Sequence, residues 1–383
     1  MLFNIALYVS LVIFVIGLIY KLWTWFHKDV GMGEKEISAY KRLFSAIKGI
    51  LATVFSGKIL TLIKVFVLDV ILQLRILKDS EDRILWIMHI LIFVGFILLL
   101  LMHALGNIVT SYLFPEYQST LNPFLFLRNL FGLFVIVGLL LAIVRRASLK
   151  RGQFRTTGMD YYVIVILAII VISGFLLEAA KISSYSAYQR MVEDYASATE
   201  DSEVQALEAF WVVNFGVVSP ETQMPFSAEM LAQGKELHEM SCASCHSRPQ
   251  SAFISYGVSK AIKSIALRVD RARVSTLLWY IHFLSCFVGL AYLAFSKMFH
   301  VFATPVSLLI NAVTEIGKES PANVATRQMI ELDGCSHGGI CHMECPVWRK
   351  RQERINRSKP FGPMLGYVSE KDWKDLGNRF YEE

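Results

Sequence analysis

Five stretches of this chain are each long and apolar enough to cross a lipid bilayer, and this constrains the fold more than any other feature. A hydrocarbon core about 30 Å thick takes about 20 residues of helix. The runs 2–26, 84–108, 124–144, 161–180 and 275–300 meet that length. Inside lipid each backbone N–H and C=O must be satisfied within its own segment, so helices are expected. Only 18% of residues are charged, against about a quarter in soluble domains. Run 2–26 lacks a basic leader and is too long for a signal core, so it should remain as an anchor. A further run, 58–77, carries Lys58, Lys64, Asp69 and Arg75, gathered on one broad side at helical spacing. It is expected to lie in the interface rather than cross it.

Charge sets the sidedness. Ten basic residues lie between Lys28 and Arg83, five lie in 145–155, and none lies in 106–120. Five spans put both basic segments on one side, which the positive-inside rule makes cytoplasmic. The N-terminus and the loop 181–274 then lie outside, and the C-terminal tail lies in the cytoplasm. The expected parts are spans one to four in 1–180, an extracytoplasmic loop in 181–274, the fifth span in 275–315 and a tail in 316–383. The net charge of +6 is accounted for by the cytoplasmic loops and needs no nucleic-acid partner. The fold class expected is an all-α integral membrane protein of five transmembrane helices, with an interfacial helix and an extracytoplasmic loop that the C-x-x-C-H run at Cys242–His246 makes cytochrome c-like. Its place is a bacterial or archaeal cytoplasmic membrane.

Within the loop, residues 238–249 read HEMSCASCHSRP. Cys242, Cys245 and His246 have the C-x-x-C-H spacing that attaches a c-type haem, with His246 as proximal ligand. The alternatives are a redox dithiol or half of a zinc site, but the loop offers only His238 as a further good zinc ligand. Candidates for the distal haem ligand are His238, Met224, Met230, Met240 or a partner subunit.

Four histidines fall inside spans, where ionisable groups are uncommon and usually functional. His89 and His103 belong to the second span, and His282 and His300 to the fifth. Separations of 14 and 18 residues put each pair near one helical face. The two helices run antiparallel, so His103 meets His282 near the outer surface and His89 meets His300 near the cytoplasm. That is the arrangement of two haem b sites, each held by two imidazoles. Heights of ~21 Å and ~27 Å between the ligands leave a difference for tilt or a helix end to absorb. His27 reads as an interfacial residue, and Cys286 as core.

These spans, these paired histidines and the sequence KMFHVFATPVSLLIN after the last of them resemble the cytochrome b (gamma) subunit of respiratory nitrate reductase. The resemblance is closer still to the membrane cytochrome b subunits of menaquinol- and heterodisulfide-reductase-linked complexes of sulfate reducers. It covers about 1–315 without the loop. It implies two haems b on His89, His103, His282 and His300, menaquinol as a reactant, and a cytoplasmic heterodisulfide-reductase-like iron–sulfur subunit as partner. The haem c motif departs from the nitrate reductase pattern and suits a periplasmic multihaem cytochrome c as a second partner.

The tail reads DGCSHGGICHMECPV at 333–347. Cys335, Cys341 and Cys345 fit a ferredoxin-type cysteine run with Gly338 in place of its second cysteine. This remnant reads as a docking tail for an iron–sulfur partner rather than as a cluster of its own. For the quinone oxygen, the polar candidates near the outer histidines are Arg128, Glu178 and Lys181, with Arg128 equally suited to neutralising a haem propionate. Two functions are compatible with all this: quinone-reactive electron transfer, or a conduit from periplasmic cytochrome c to the cytoplasm without quinone chemistry.

Overall fold

The computed structural model describes residues 2–28, 37–80, 83–148, 158–196, 200–222, 224–315 and 320–334, and among these no strand occurs. In chain order, α1 (Leu2–His27) is followed by α2 (Ala39–Val54) and α3 (Lys58–Val65), which passes into a π-helical turn, Phe66–Ile71. α4 (Leu74–Ser80) precedes α5 (Arg83–Leu99), which runs into two π-helical turns, Leu100–Ala104 and Gly106–Thr110, and the short α6 (Ser111–Leu113). Two long helices come next, α7 (Phe124–Ser148) and α8 (Gly158–Ser183). The loop region folds as α9 (Tyr185–Tyr195), α10 (Asp201–Asn214), α11 (Ala228–Ser241), α12 (Phe253–Ala261) and α13 (Ala266–Arg271). α14 (Val274–Leu293), α15 (His300–Val313) and α16 (Pro321–Gly334) complete the described chain.

Among the described residues, five helices have the length and hydropathy of membrane spans: Leu2–His27, Arg83–Ala104, Phe124–Ser148, Gly158–Ser183 and Val274–Leu293. These match the five expected runs. A sixth becomes possible only if Ala39–Val54 and Lys58–Ile71, bent by 96°, count as one broken span. The run 58–77 is not one helix. It breaks at Gln73, whose φ of 53° lies in the left-handed region, and α4 starts afresh.

The fifth span also differs from its expected form. It stops at Leu293, and a 3-10 turn at Lys297–Phe299 leads into α15. Ser296 caps that turn, its hydroxyl accepting from the backbone N–H of Met298. His300 therefore opens a new helix, and the spacing of 18 residues does not run through unbroken helix. The second span likewise leaves α-helical phase at Leu100, three residues before His103. The i→i+5 bonds of a π-turn change the angle at which later side chains project.

The chain divides into two compact units, 1–86 with 148–163 and 288–383, and 87–147 with 164–287. In the first, Trp25, Ala294, Phe299, Ala303 and Ile330 form the core. Arg42, 2% exposed, closes the C-terminal end of α1: its guanidinium donates to the carbonyls of Trp25 (2.5 Å) and Lys28 (2.7 Å) and to Thr326 Oγ1 (3.1 Å). These are carbonyls that a helix end leaves without an internal partner. Asp333 of α16 accepts from Lys21 Nζ (2.6 Å) and Trp25 Nε1 (2.7 Å), holding α16 against α1.

In the second unit, α5 and α7 approach closely: a Cβ on Gly95 would lie 2.7 Å from the Phe131 carbonyl, and one on Gly138 would lie 2.6 Å from Ile92. Small residues at such crossings let transmembrane helices pack where no hydrophobic effect drives them together. The loop has its own core, with Tyr185, Tyr188, Leu207, Phe210, Trp211, Phe215, Leu237 and Cys242 in one cluster. α10 and α11 cross so tightly that a Cβ on Gly234 would come within 2.0 Å of the Ala206 carbonyl. Glu208, 4% exposed, accepts from the hydroxyls of Tyr185, Ser219 and Thr222.

Two outcomes follow from this packing. Arg42→Ala strips three partners from a buried site and leaves helix-end carbonyls bare, so purified protein should lose about 2–4 kcal/mol of stability in thermal unfolding. Asp270 caps α9 through Ser184 Oγ (2.5 Å), Ser186 N (2.8 Å) and Ser186 Oγ (2.8 Å). Burial alone would raise Asp270, but these hydrogen bonds and Arg190 hold it below the ordinary 3.8. A depressed carboxyl stabilises above its unfolded value and loses that contribution as pH falls through the folded one. Amide exchange at Ser186 and Ala187 should therefore stay slow at neutral pH and quicken only below about pH 4. Asp270→Asn should make it fast at neutral pH.

Candidate functional site

The site is built in the second unit from α5 with its π-turn, α7, α8 and α14, together with the loop. His103, in the π-turn that follows α5, and His282, in α14, have ring centroids 6.0 Å apart with planes inclined at 50°. That is the expected outer pair, and the separation admits one metal bonded to a nitrogen of each ring at about 2 Å. The π-turn is held by Thr110, whose hydroxyl donates to the Leu101 carbonyl (2.8 Å), and by Tyr117, whose hydroxyl donates to the carbonyl of Met102.

The His282 ring is oriented from α8. Its Nδ1 donates to the Ile170 carbonyl at 3.0 Å, with Ser173 Oγ 3.2 Å away. Gly174 lies beneath it, where a Cβ would come within 3.2 Å of His282 Cε1. A ring nitrogen tied to backbone fixes the tautomer and leaves Nε2 as the free donor, the usual setting of a metal-binding imidazole. His300, in the first unit, donates from Nδ1 to the Lys297 carbonyl at 2.5 Å. His89 lies in α5 within the second unit. His27 donates from Nδ1 to the Trp23 carbonyl at 3.1 Å and stacks on the Trp23 ring. Cys286 is a free thiol, half-buried.

The polar candidates divide. Arg128 and Glu178 meet in a largely buried ion pair (3.3 Å), and Arg128 also donates to the Ser119 carbonyl (2.8 Å). Lys181 is exposed near the end of α8. Sequence reasoning passes over Asn129, which is 1% exposed. Its Nδ2 donates to Glu178 Oε2 (2.8 Å), while its Oδ1 accepts from the backbone N–H groups of Ile254 and Ser255 (3.2 Å each). One side chain thus joins α7, α8 and the loop. The signal that could have found it is the adjacent polar pair Arg128–Asn129 inside an otherwise apolar run.

The C-x-x-C-H segment begins at the C-cap of α11. The backbone N–H of Cys242 bonds to the His238 carbonyl (2.8 Å), and that of His246 to the Cys242 carbonyl (2.9 Å). The segment is fastened to the connection between the second and third spans. Ser247 N donates to the Thr120 carbonyl (3.0 Å), the Thr120 hydroxyl donates to the Cys245 carbonyl, and Asn122 N donates to Ser247 Oγ (2.9 Å). Cys245 is exposed and Cys242 buried, both as free thiols. Burial, reinforced by Cys245, pushes the Cys242 thiol up to about 11. Burial lowers His246 and His238 below the usual imidazole value.

Trp211 packs edge-on against both His246 (5.4 Å) and His238 (5.7 Å). Around them, Trp211 Nε1, Tyr188 OH and His238 Nδ1 are buried with no hydrogen-bond partner. Buried polar atoms of that kind ordinarily have one, so this aromatic cluster offers partners to a bound group that carries acceptors and donors of its own. Of the distal-ligand candidates, His238 is 7% exposed, whereas Met224 and Met240 are 67% and 66% exposed. Met230 is half-buried. Cys335, Cys341 and Cys345 lie outside the described residues.

Comparison with known proteins supplies a family. The family described as nitrate reductase gamma subunit matches residues 78–206, a segment that includes His89, His103, Arg128 and Glu178. One subunit of the dihydromethanophenazine:CoB–CoM heterodisulfide reductase from Methanosarcina thermophila is 30% identical over 190 residues. That match takes in 45% of this chain and 69% of the relative. The chain belongs to this family. The corresponding subunits of Methanosarcina barkeri (28% over 127 residues, 48% of that protein) and Methanosarcina acetivorans (29% over 126 residues, 47%) are similar over about half their length. No solved structure matches. The protein is thus a membrane-embedded, cytochrome b-like subunit of a redox complex of the heterodisulfide reductase and nitrate reductase type. The C-x-x-C-H segment, at 242–246, falls beyond the family segment, which ends at 206.

The Arg128–Glu178 pair gives a direct test of how much the site depends on it. Glu178→Ala leaves a guanidinium unpaired in an apolar setting and should destabilise the purified protein by about 3 kcal/mol in thermal unfolding. Glu178→Gln, which keeps an acceptor for Asn129, should lose visibly less.

Proposed function

We propose that this chain carries electrons across the membrane through two haems b and one haem c, linking menaquinol or a periplasmic cytochrome c to a cytoplasmic iron–sulfur subunit. The observation that carries the reading is the His103–His282 pair at 6.0 Å, with one nitrogen of His282 already committed to backbone. In this reading His103 and His282 hold the outer haem b. His89 and His300 hold the inner one, and Cys242, Cys245 and His246 hold the haem c, with His238 the candidate distal ligand.

When bound, each haem supplies a one-electron carrier. The residues around them do the rest. Ile170 and Ser173 keep the His282 ring from turning, and Gly174 lets it sit close to α8. Arg128 supplies a positive charge beside the outer pair, suited either to a propionate or to a quinone oxygen. Glu178, its partner, can receive a proton at a carboxylate oxygen when a quinol is oxidised there. The apolar helices exclude water, so charge introduced at the site must be met by these groups. The bonds from Thr120 and Asn122 to the C-x-x-C-H segment favour a second route, in which electrons enter through the loop without quinol.

The spectrum of purified protein in alkaline pyridine decides the cofactor reading: b-type and c-type haem are expected in a ratio of two to one. Cys242→Ala with Cys245→Ala should abolish the covalent haem and leave the b signal. Gly174→Val, which crowds the His282 ring without replacing a proposed ligand, should weaken or shift one b-type component alone. Full retention of both b signals in a His103→Ala or His282→Ala protein would refute the assignment. Reduction by a quinol analogue that is lost in Arg128→Gln separates the quinone route from the conduit.

A further inference from the structure

A cavity of about 560 Å³ lies in the first unit, between the end of α3, the π-turn Phe66–Ile71, α15 and α16. Sites for small organic molecules fall in the range of about 300–1,000 Å³. Asp69, Arg75, Asn311, Arg327 and Glu331 supply its polar lining, and Val65 and Leu308 part of its apolar wall. None of these residues belongs to the histidine sites or to the Arg128–Glu178 pair.

Its chemistry narrows the occupant. Asn311 Nδ2 donates to Glu331 Oε1 (3.0 Å), and Arg327 Nη1 reaches Glu331 Oε1 (3.2 Å) and Asn311 Oδ1 (3.4 Å). This side of the cavity is a preassembled set of donors and acceptors. The formal charges cancel, two guanidinium groups against two carboxylates. With no net charge, the lining gives neither an anion nor a cation a net attraction. A neutral molecule bearing both kinds of oxygen is matched instead: its carbonyl oxygens accept from arginine and asparagine, and its hydroxyls donate to the carboxylates.

The setting is lipid-compatible. The π-turn that contributes Asp69 also carries exposed Phe66, Val67 and Ile71, which suits an apolar tail. π-turns of this kind recur at functional sites. α15 begins at His300 and reaches Asn311 about 16 Å further along its axis.

We infer that this cavity binds the head group of a neutral, lipid-soluble molecule of the quinone class, a flat ring bearing two carbonyl or hydroxyl oxygens. Asn311 and the arginines address its oxygens, and Asp69 and Glu331 its hydroxyls. By the positive-inside count the cavity lies on the cytoplasmic side, making it a second site distinct from the outer one. Occupancy requires neither haem nor an intact outer site, so it stands or falls separately from the function proposed above.

The test uses the full-length protein in lipid nanodiscs, titrated with 2-heptyl-4-hydroxyquinoline N-oxide and followed by quenching of the probe's fluorescence. An Arg128→Gln background removes any contribution from the outer site. In that background Asn311→Leu and Asp69→Asn should each weaken the remaining binding about tenfold, the effect of losing one buried hydrogen-bonding partner. Asp69→Asn keeps the side chain's shape and decides the matter if Asn311→Leu fails to fold. Binding unchanged by both substitutions overturns the proposal. So does native mass spectrometry that finds an anionic phospholipid held by the wild type and released by Asp69→Asn, since the cavity would then be a lipid headgroup site.

Discussion

A charged pair set among apolar helices governs the second unit. Arg128 and Glu178 lie on neighbouring spans, and either charge left alone in that setting would be costly. Asn129 extends the pair by donating to the carboxylate and accepting from the backbone at Ile254 and Ser255. One network thereby connects two membrane helices to the loop. With α7, α8 and α12 held in register, α8 presents Ile170, Ser173 and Gly174 to His282, and the imidazole pair acquires its spacing. Loss of the network would free the helices to slide, because apolar side chains in lipid have no preferred partner.

The loop is organised differently, by burial from water rather than by polar contacts in lipid. Its aromatic cluster gathers around α10 and α11, which meet at Gly234 with no room for a side chain. This crossing delivers the C-x-x-C-H segment at the end of α11, and the Thr120 and Asn122 bonds fasten it to the span connection. The residues proposed as ligands of the covalent haem therefore occupy a position set by packing on one side and hydrogen bonds on the other. The unpartnered polar atoms of Trp211, Tyr188 and His238 concentrate in this same cluster, where an apolar loop core would not be expected to keep them.

Much of the architecture was legible in the residues because lipid restricts a chain so severely. Runs of about 20 apolar residues have one low-energy form there, and all five expected spans correspond to helices. Their ends were less legible. Ser296 interrupts the fifth span, and π-turns rotate the second, because these features depend on caps and i→i+5 bonds that an averaged hydropathy pattern does not register. The facing of His103 and His282 was expected from periodicity, yet it is reached through a π-turn that the α-helical count did not include. The cavity beneath α15 was signalled in the sequence only by Asp69 and Arg75, which read there as the polar side of 58–77. Its polar residues come from positions 61 to 331, and only folding brings them together.

By itself, the sequence determined that this chain is a helical membrane protein, that histidines recur within its spans, and that one loop carries a haem-attachment spacing. Each of these is a local property, set by hydropathy or by neighbours a few residues away. Tertiary structure alone decided which nitrogen of His282 is occupied, that Asn129 rather than Lys181 completes the Arg128–Glu178 network, and which wall the C-x-x-C-H segment rests on. Those outcomes depend on contacts between residues more than 40 positions apart, whose energies exist only once the helices have packed.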